Sequence, residues 1–194
     1  MKVKKIGIVS LSSGILGENF VSHEVKIGIE RLKKYGIEVE FLPNSTKGIE
    51  FLKNNPKARA KDLIDAFKDD SIDMILCAIG GDDTYRLLPY LFENNELEMA
   101  VKQKIFLGFS DTTINHFMLN KVGIKTFYGQ AFLPDICELS KISNIESRHP
   151  PNILPSNFAL PLNNSNPLLG CSAIEIPIPF LLKSSLSLYQ TSLG

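Results

Sequence analysis

The stretch MILCAIGGDDT, residues 74–84, runs six apolar residues directly into a pair of glycines. An unbroken apolar run, in place of an apolar–polar alternation, describes a β-strand covered on both faces. The glycines behind it let the backbone turn sharply and let a ligand come close. Residues 105–109, IFLGF, repeat the pattern and lead into Ser110, Asp111, Thr112 and Thr113. Upstream, residues 5–11 form a short β-branched run that ends at Ser12, Ser13 and Gly14. Residues 37–42 alternate like a strand before Pro43, and residues 125–128 make a last short one. Between these strands the apolar period becomes helical. Val21, Val25, Ile29 and Leu32 recur through residues 20–35, with Gly36 as a stop. Leu63, Ile64 and Phe67 share one face of residues 56–69, and further helices are expected at residues 85–91 and after Asp111. Strand–helix alternation with doubly buried strands predicts an α/β fold, a parallel sheet with helices on both faces.

At 194 residues the chain can build one well-cored domain, or one domain with an appendage. Its 21 basic residues equal its 21 acidic ones and none cluster, so charge gives no case for nucleic acid or an anionic membrane as partner. Cys77, Cys137 and Cys171 form no CxxC pair and no even disulfide framework, which fits a reducing compartment. Cys77, inside the apolar run, reads as a buried thiol. The N-terminal lysines and IGIV lack a signal-peptide cleavage pattern, and no run of about 18 apolar residues exists to cross a membrane. A soluble, cytoplasmic protein is expected.

Composition changes after Lys141. Residues 142–194 carry four charged side chains against 38 before them, and hold seven of the eleven prolines with many serines and asparagines. Those prolines forbid a long helix and weaken any central strand. Two parts are therefore expected: a folded domain over residues 1–141 and an irregular Pro/Ser/Asn-rich tail over residues 142–194. The tail reads as poorly ordered, with residues 174–188 aggregation-prone; an irregular but packed extension is the alternative.

Two corners can carry chemistry. Ser110 stands where a buried strand meets a helix, a place that exposes a hydroxyl above the sheet and turns the following amides toward it. Acyl transfer needs such amides, because its tetrahedral intermediate develops an oxyanion. The plainer reading is that Ser110, Asp111 or Thr112 caps the helix. At the second corner, the amides of Gly81 and Asp82 can donate to an oxyanion or grip a substrate carboxylate. Here the plainer reading is a tight turn with Asp82 or Asp83 as a cap. Both corners follow strands at their carboxyl ends, where open α/β sheets bind ligands.

Three segments in order, IGGDDTYRLLPYL (79–91), LGFSDTT (107–113) and YGQAFLPDI (128–136), resemble the LD-carboxypeptidase family of serine peptidases. The Asp-Asp-Thr-Tyr-Arg form is similar to the branch containing microcin-C self-immunity peptidases, and the likeness covers about residues 3–141. The resemblance implies a class I glutamine amidotransferase-like α/β domain. It implies Ser110 as nucleophile, with the amides of Asp111 and Gly81 as oxyanion donors. It further implies cleavage of an amide next to a free carboxylate, in an LD-peptide of murein or in a microcin-type acyl-nucleotide. Its partner is thus a small peptide or peptidyl-nucleotide, with neither metal nor organic cofactor, and homodimers are common in the family.

The same resemblance draws a glutamate and a histidine from a second, C-terminal domain to complete the triad. Here the family-like sequence ends near residue 141, and the tail's composition would suit a frameshifted or truncated product. His116 is an unpromising substitute, being six residues past Ser110 on a helix and so turned roughly 240° away and raised about 9 Å. His23 and His149 lie near no carboxylate pattern that implies a triad. A serine without its base is a poor nucleophile, so the chain alone is expected to be nearly inactive. Two other classes compete. A phosphate-binding kinase is suggested by GGDDT beside the GGDGT loop of NAD and lipid kinases, but Asp83 sets a carboxylate where phosphates would approach. A non-catalytic α/β ligand-binding or interaction module would keep the crevice and lose the chemistry.

Overall fold

In the computed structural model, which describes residues 3–138, five strands form one sheet. They are β1 (Lys5–Val9), β2 (Glu38–Phe41), β3 (Met74–Cys77), β4 (Ile105–Gly108) and β5 (Phe127–Tyr128), hydrogen-bonded in the order β2-β1-β3-β4-β5. Every pairing is parallel, with Ile6 between Val39 and Met74, and Leu76 opposite Leu107. Six helices accompany them: α1 (Ser22–Lys34), α2 (Ile49–Asn54), α3 (Pro56–Lys68), α4 (Leu88–Phe92), α5 (Glu96–Ala100) and α6 (Thr113–Lys121). The tail over residues 142–194, the boundary placed at residue 141, Cys171 and His149 lie outside the described residues.

The two-residue period of the strands divides their side chains between two cores. Ile6, Ile8, Met74, Leu76, Ile105 and Leu107 pack with Leu32 of α1 and with Phe132 of a π-helical turn, Phe132–Ile136. Val9, Ile75, Cys77 and Phe106 pack on the other face with Leu63 and Phe67 of α3, Leu91 of α4, Leu97 of α5 and Leu119 of α6. Every residue of β3 and β4 is buried, so the unbroken apolar runs mark strands with helices on both sides. Phe67 and Phe106 are wholly enclosed, and each contributes about 2–3 kcal/mol by leaving water.

Some elements differ from the periodicity. The first strand stops at Val9, where its backbone leaves the sheet: the Ser10 hydroxyl donates to the Ser45 carbonyl at 2.8 Å. Residues 85–91 form a 3-10 turn, Thr84–Leu87, that passes into α4, with Pro89 in the first helical turn where its missing N–H is not needed. The helices α2 and α5 are absent from the sequence reading. Each is under two turns long, and α2 buries only Leu52. Its N-terminus is secured from far along the chain, by Ile49 N–H donating to Glu18 Oε1 at 2.8 Å.

From β1 the chain moves outward to β2, then crosses back over β1 to β3. Strand order therefore reverses between β1 and β3, and a crevice opens beyond their carboxyl ends. No helix among the described residues is long and apolar enough to cross a membrane.

Candidate active site

At the end of β4 the backbone turns through an unusual conformation. Phe109 is extended, and Ser110 adopts φ +64°, in the left-handed region that non-glycine residues avoid. Holding it there costs about 1–3 kcal/mol, which the surroundings must supply. The Thr112 hydroxyl donates to the Phe109 carbonyl at 2.7 Å, and the Thr113 hydroxyl to the Ser110 carbonyl at 2.5 Å. Ser110 N–H donates to the Tyr128 hydroxyl at 3.3 Å. Gly108 permits the tight return, since a Cβ there would lie 2.7 Å from Thr112 Oγ1 and 2.8 Å from Cys77 Sγ. Ser110 itself is exposed, and no side chain caps the 3-10 turn Ser110–Thr112 or α6. The capping alternative for this corner does not hold.

The diglycine turn sits directly against it. A Cβ on Gly80 would lie 2.8 Å from Ser110 Cβ and 2.9 Å from its Oγ, so only glycine lets the turn after β3 come this close. Gly81 instead rests on the loop after β1, where a Cβ would meet Ser12 Oγ at 2.2 Å and Ser13 N at 2.9 Å. Ser13 N–H donates to the Gly80 carbonyl at 3.2 Å, tying the two loops together. The N–H groups of Gly81 and Asp111 have no acceptor among the described residues. The Asp111 carboxylate accepts the Ser12 hydroxyl at 2.5 Å and Thr84 N–H at 3.0 Å. Asp82 is exposed and caps nothing.

Asp83 has a different role from the turn cap offered as the plainer reading. It receives both terminal nitrogens of Arg59, at 2.6 and 3.0 Å, and Arg86 Nη1 at 3.2 Å. Burial pushes the Asp83 carboxyl up, but the two guanidinium groups outweigh it and hold it below the usual carboxylate range. Arg59, fully buried on α3, also donates to the carbonyls of Leu11 and Ser12, at 3.1 Å each. One guanidinium thus holds the loops after β1 and β3 in place. Arg59 is not distinguished in the sequence, because nothing in its spacing sets it apart from a solvated helix charge; Arg86 stands in the quoted Asp-Asp-Thr-Tyr-Arg form, without a role assigned to it.

His116 lies in the core. One ring nitrogen is 2.7 Å from the Thr126 hydroxyl and the other 3.0 Å from the Gly108 carbonyl. The ring also packs edge-on to Phe106. Burial pushes its pKa below the ordinary histidine value, against the Gly108 hydrogen bond, so it is a neutral structural ring with both nitrogens engaged. His23 is exposed at the start of α1. The Cys77 thiol, fully buried, is pushed up to about 12 and is no nucleophile. Among the described residues no group of three or more His, Cys, Asp or Glu could hold a metal.

An open cleft of ≈ 470 Å³ is lined by Ser12 and Ser13 of the loop after β1, by Asp82, Tyr85 and Arg86 from the segment after β3, and by Lys53 of α2. An exposed hydroxyl flanked by uncommitted amides can attack a carbonyl and stabilise the resulting oxyanion, given a base.

The chain is similar to known proteins. The family model described as LD-carboxypeptidase N-terminal domain matches residues 6–129, from β1 through β5. The Microcin C7 self-immunity protein MccF of Escherichia coli is 30% identical over 112 residues, 57% of this chain and 32% of that protein. A solved MccF-like protein from Streptococcus pneumoniae, in complex with AMP, superposes with a TM-score of 0.71 at 72% identity, over 73% of this chain and 41% of that one. MccF in complex with aspartyl sulfamoyl adenosine superposes with a TM-score of 0.62 at 26% identity, over 82% and 47%. The chain therefore spans about a third of the curated relative and under half of the solved ones. Through its parallel sheet and the matched segment that bears both corners, the chain belongs to the LD-carboxypeptidase family, as its N-terminal domain.

Proposed function

We propose that this chain supplies the nucleophile for hydrolysis of an amide next to a free carboxylate. Ser110 attacks the carbonyl, and the amides of Asp111 and Gly81 receive the oxyanion. The observation that carries this reading is the exposed left-handed serine with Gly80 pressed against it and uncommitted amides on either side. Between a murein LD-peptide and an acyl-nucleotide, the second is favoured. The relative with 72% identity is a complex with AMP, and MccF is solved with aspartyl sulfamoyl adenosine. Lys53, Arg86 and Tyr85 give the cleft cations and an aromatic face suited to a phosphate and a base. The reaction needs no cofactor.

The general base comes from outside residues 3–138, because His116 is fully engaged and His23 is remote in role. We therefore expect the chain alone to react slowly, in the cytoplasm, with any homodimer a separate matter. A second reading, a ligand-binding module without turnover, is favoured by the same engaged His116.

Chemical rescue separates the two. The full chain is treated with a fluorophosphonate, with and without added imidazole, and the adduct is mapped by mass spectrometry. The proposal predicts an adduct on Ser110 that forms at least about tenfold faster with imidazole and is lost in Ser110→Ala. Adducts spread over other serines at equal rates, or an unreactive Ser110 with imidazole present, would leave only the binding module.

A further inference from the structure

We infer that Ser12 is a positioning residue for both oxyanion amides, an inference that rests on the proposed role of the Ser110 corner. Ser12 is 2% exposed at the floor of the cleft that it helps to line. Its hydroxyl touches both halves of the site. It donates to Asp111 Oδ2 at 2.5 Å, on the residue whose N–H follows Ser110. It also lies 2.2 Å from where a Gly81 Cβ would be, so the Gly81 backbone rests directly on it.

The surroundings keep Ser12 itself from moving. Its carbonyl accepts Arg59 Nη1, and the next residue's N–H is committed to the Gly80 carbonyl. The Asp111 oxygen that takes the Ser12 hydroxyl also takes Thr84 N–H, so the carboxylate is held from the loops after β1 and β3 together. A carboxylate fixed at two points fixes its own residue's backbone, and hence the direction of the Asp111 N–H. Gly81 has no side chain with which to fix its peptide; the Ser12 oxygen beneath it serves as the stop. Ser12 therefore sets the spacing between two amides that must reach one oxygen at once, and that spacing is what preorganises an oxyanion site. Ser12 takes no part in proton transfer.

The test uses the full ¹⁵N-labelled chain and a phosphonate analogue of a dipeptide ending in a free carboxylate, followed by amide chemical shifts. Wild type is expected to shift the Gly81 and Asp111 amides on binding. Ser12→Ala should weaken binding about tenfold, with Ser12→Thr, which keeps the hydroxyl, recovering most of it. Thermal midpoints of the same samples separate positioning from simple loss of fold. If Ser12→Ala does not fold, Ser12→Cys is read in its place. A Ser12→Ala protein that binds within twofold of wild type overturns the role of Ser12 and leaves the site reading intact. A wild-type chain whose Gly81 and Asp111 amides do not respond overturns the site reading, and the role of Ser12 with it.

Discussion

The left-handed backbone of Ser110 is a strained local feature, and it accompanies an exposed hydroxyl. Replacing that serine with glycine removes the Cβ that makes φ +64° unfavourable. Ser110→Gly is therefore expected to stabilise the fold by about 1 kcal/mol in urea unfolding while abolishing acylation; a less stable variant would mean that the corner is not strained. His116 gives a second prediction. Its folded pKa is depressed by burial, so the unfolded chain binds its proton more readily. The stability it supports is complete above the unfolded value of about 6.5 and is lost as pH falls below it. Wild type should lose stability between pH 7 and pH 5, and His116→Gln should flatten that slope; equal slopes would contradict a buried neutral ring. At this scale the sequence was informative. A serine between a buried apolar run and a helix is legible from GFSDTT, because strand burial and helix onset leave it little else to be. That Gly80, rather than Gly81, presses on Ser110 was not legible, since two adjacent glycines look alike until the loop after β1 is in place.

Among the elements, α3 does more than cover the sheet. Its Arg59 reaches the carbonyls of Leu11 and Ser12 and forms a two-point pair with Asp83, so the helix braces two of the loops that build the site. Arg59→Met would leave Asp83 half-buried with only Arg86, the Ser12 carbonyl without its Arg59 donor, and the Leu11 carbonyl with the Thr84 hydroxyl alone. A loss of about 3–5 kcal/mol in chemical unfolding is expected, discounted toward the lower figure because Asp83 keeps some solvent. A loss under about 1 kcal/mol would show that the loops hold themselves. The long helices α1 and α3 and the strands were readable from apolar periods. The short α2 and α5 were not: one and a half turns present too few apolar residues to show a period, and their ends depend on contacts such as Glu18 with Ile49 N–H. Arg59 was hidden for the same reason, because the partner that gives it meaning is 24 residues away.

For the whole molecule, the sequence could establish a parallel sheet but not its strand order. The reversal between β1 and β3 is what brings the Ser12, Gly80 and Ser110 loops to one crevice. The family model matches residues 6–129, and the two solved relatives are covered over 41% and 47% of their length. The proposal places a nucleophile and its oxyanion donors on this unit. The most direct measurement of that claim is a crystal structure of the chain after imidazole-assisted phosphonylation. The account predicts a phosphonyl group on Ser110 Oγ, with its oxygen about 2.7–3.1 Å from the amide nitrogens of both Gly81 and Asp111. An oxygen turned to solvent, touching neither amide, would contradict it.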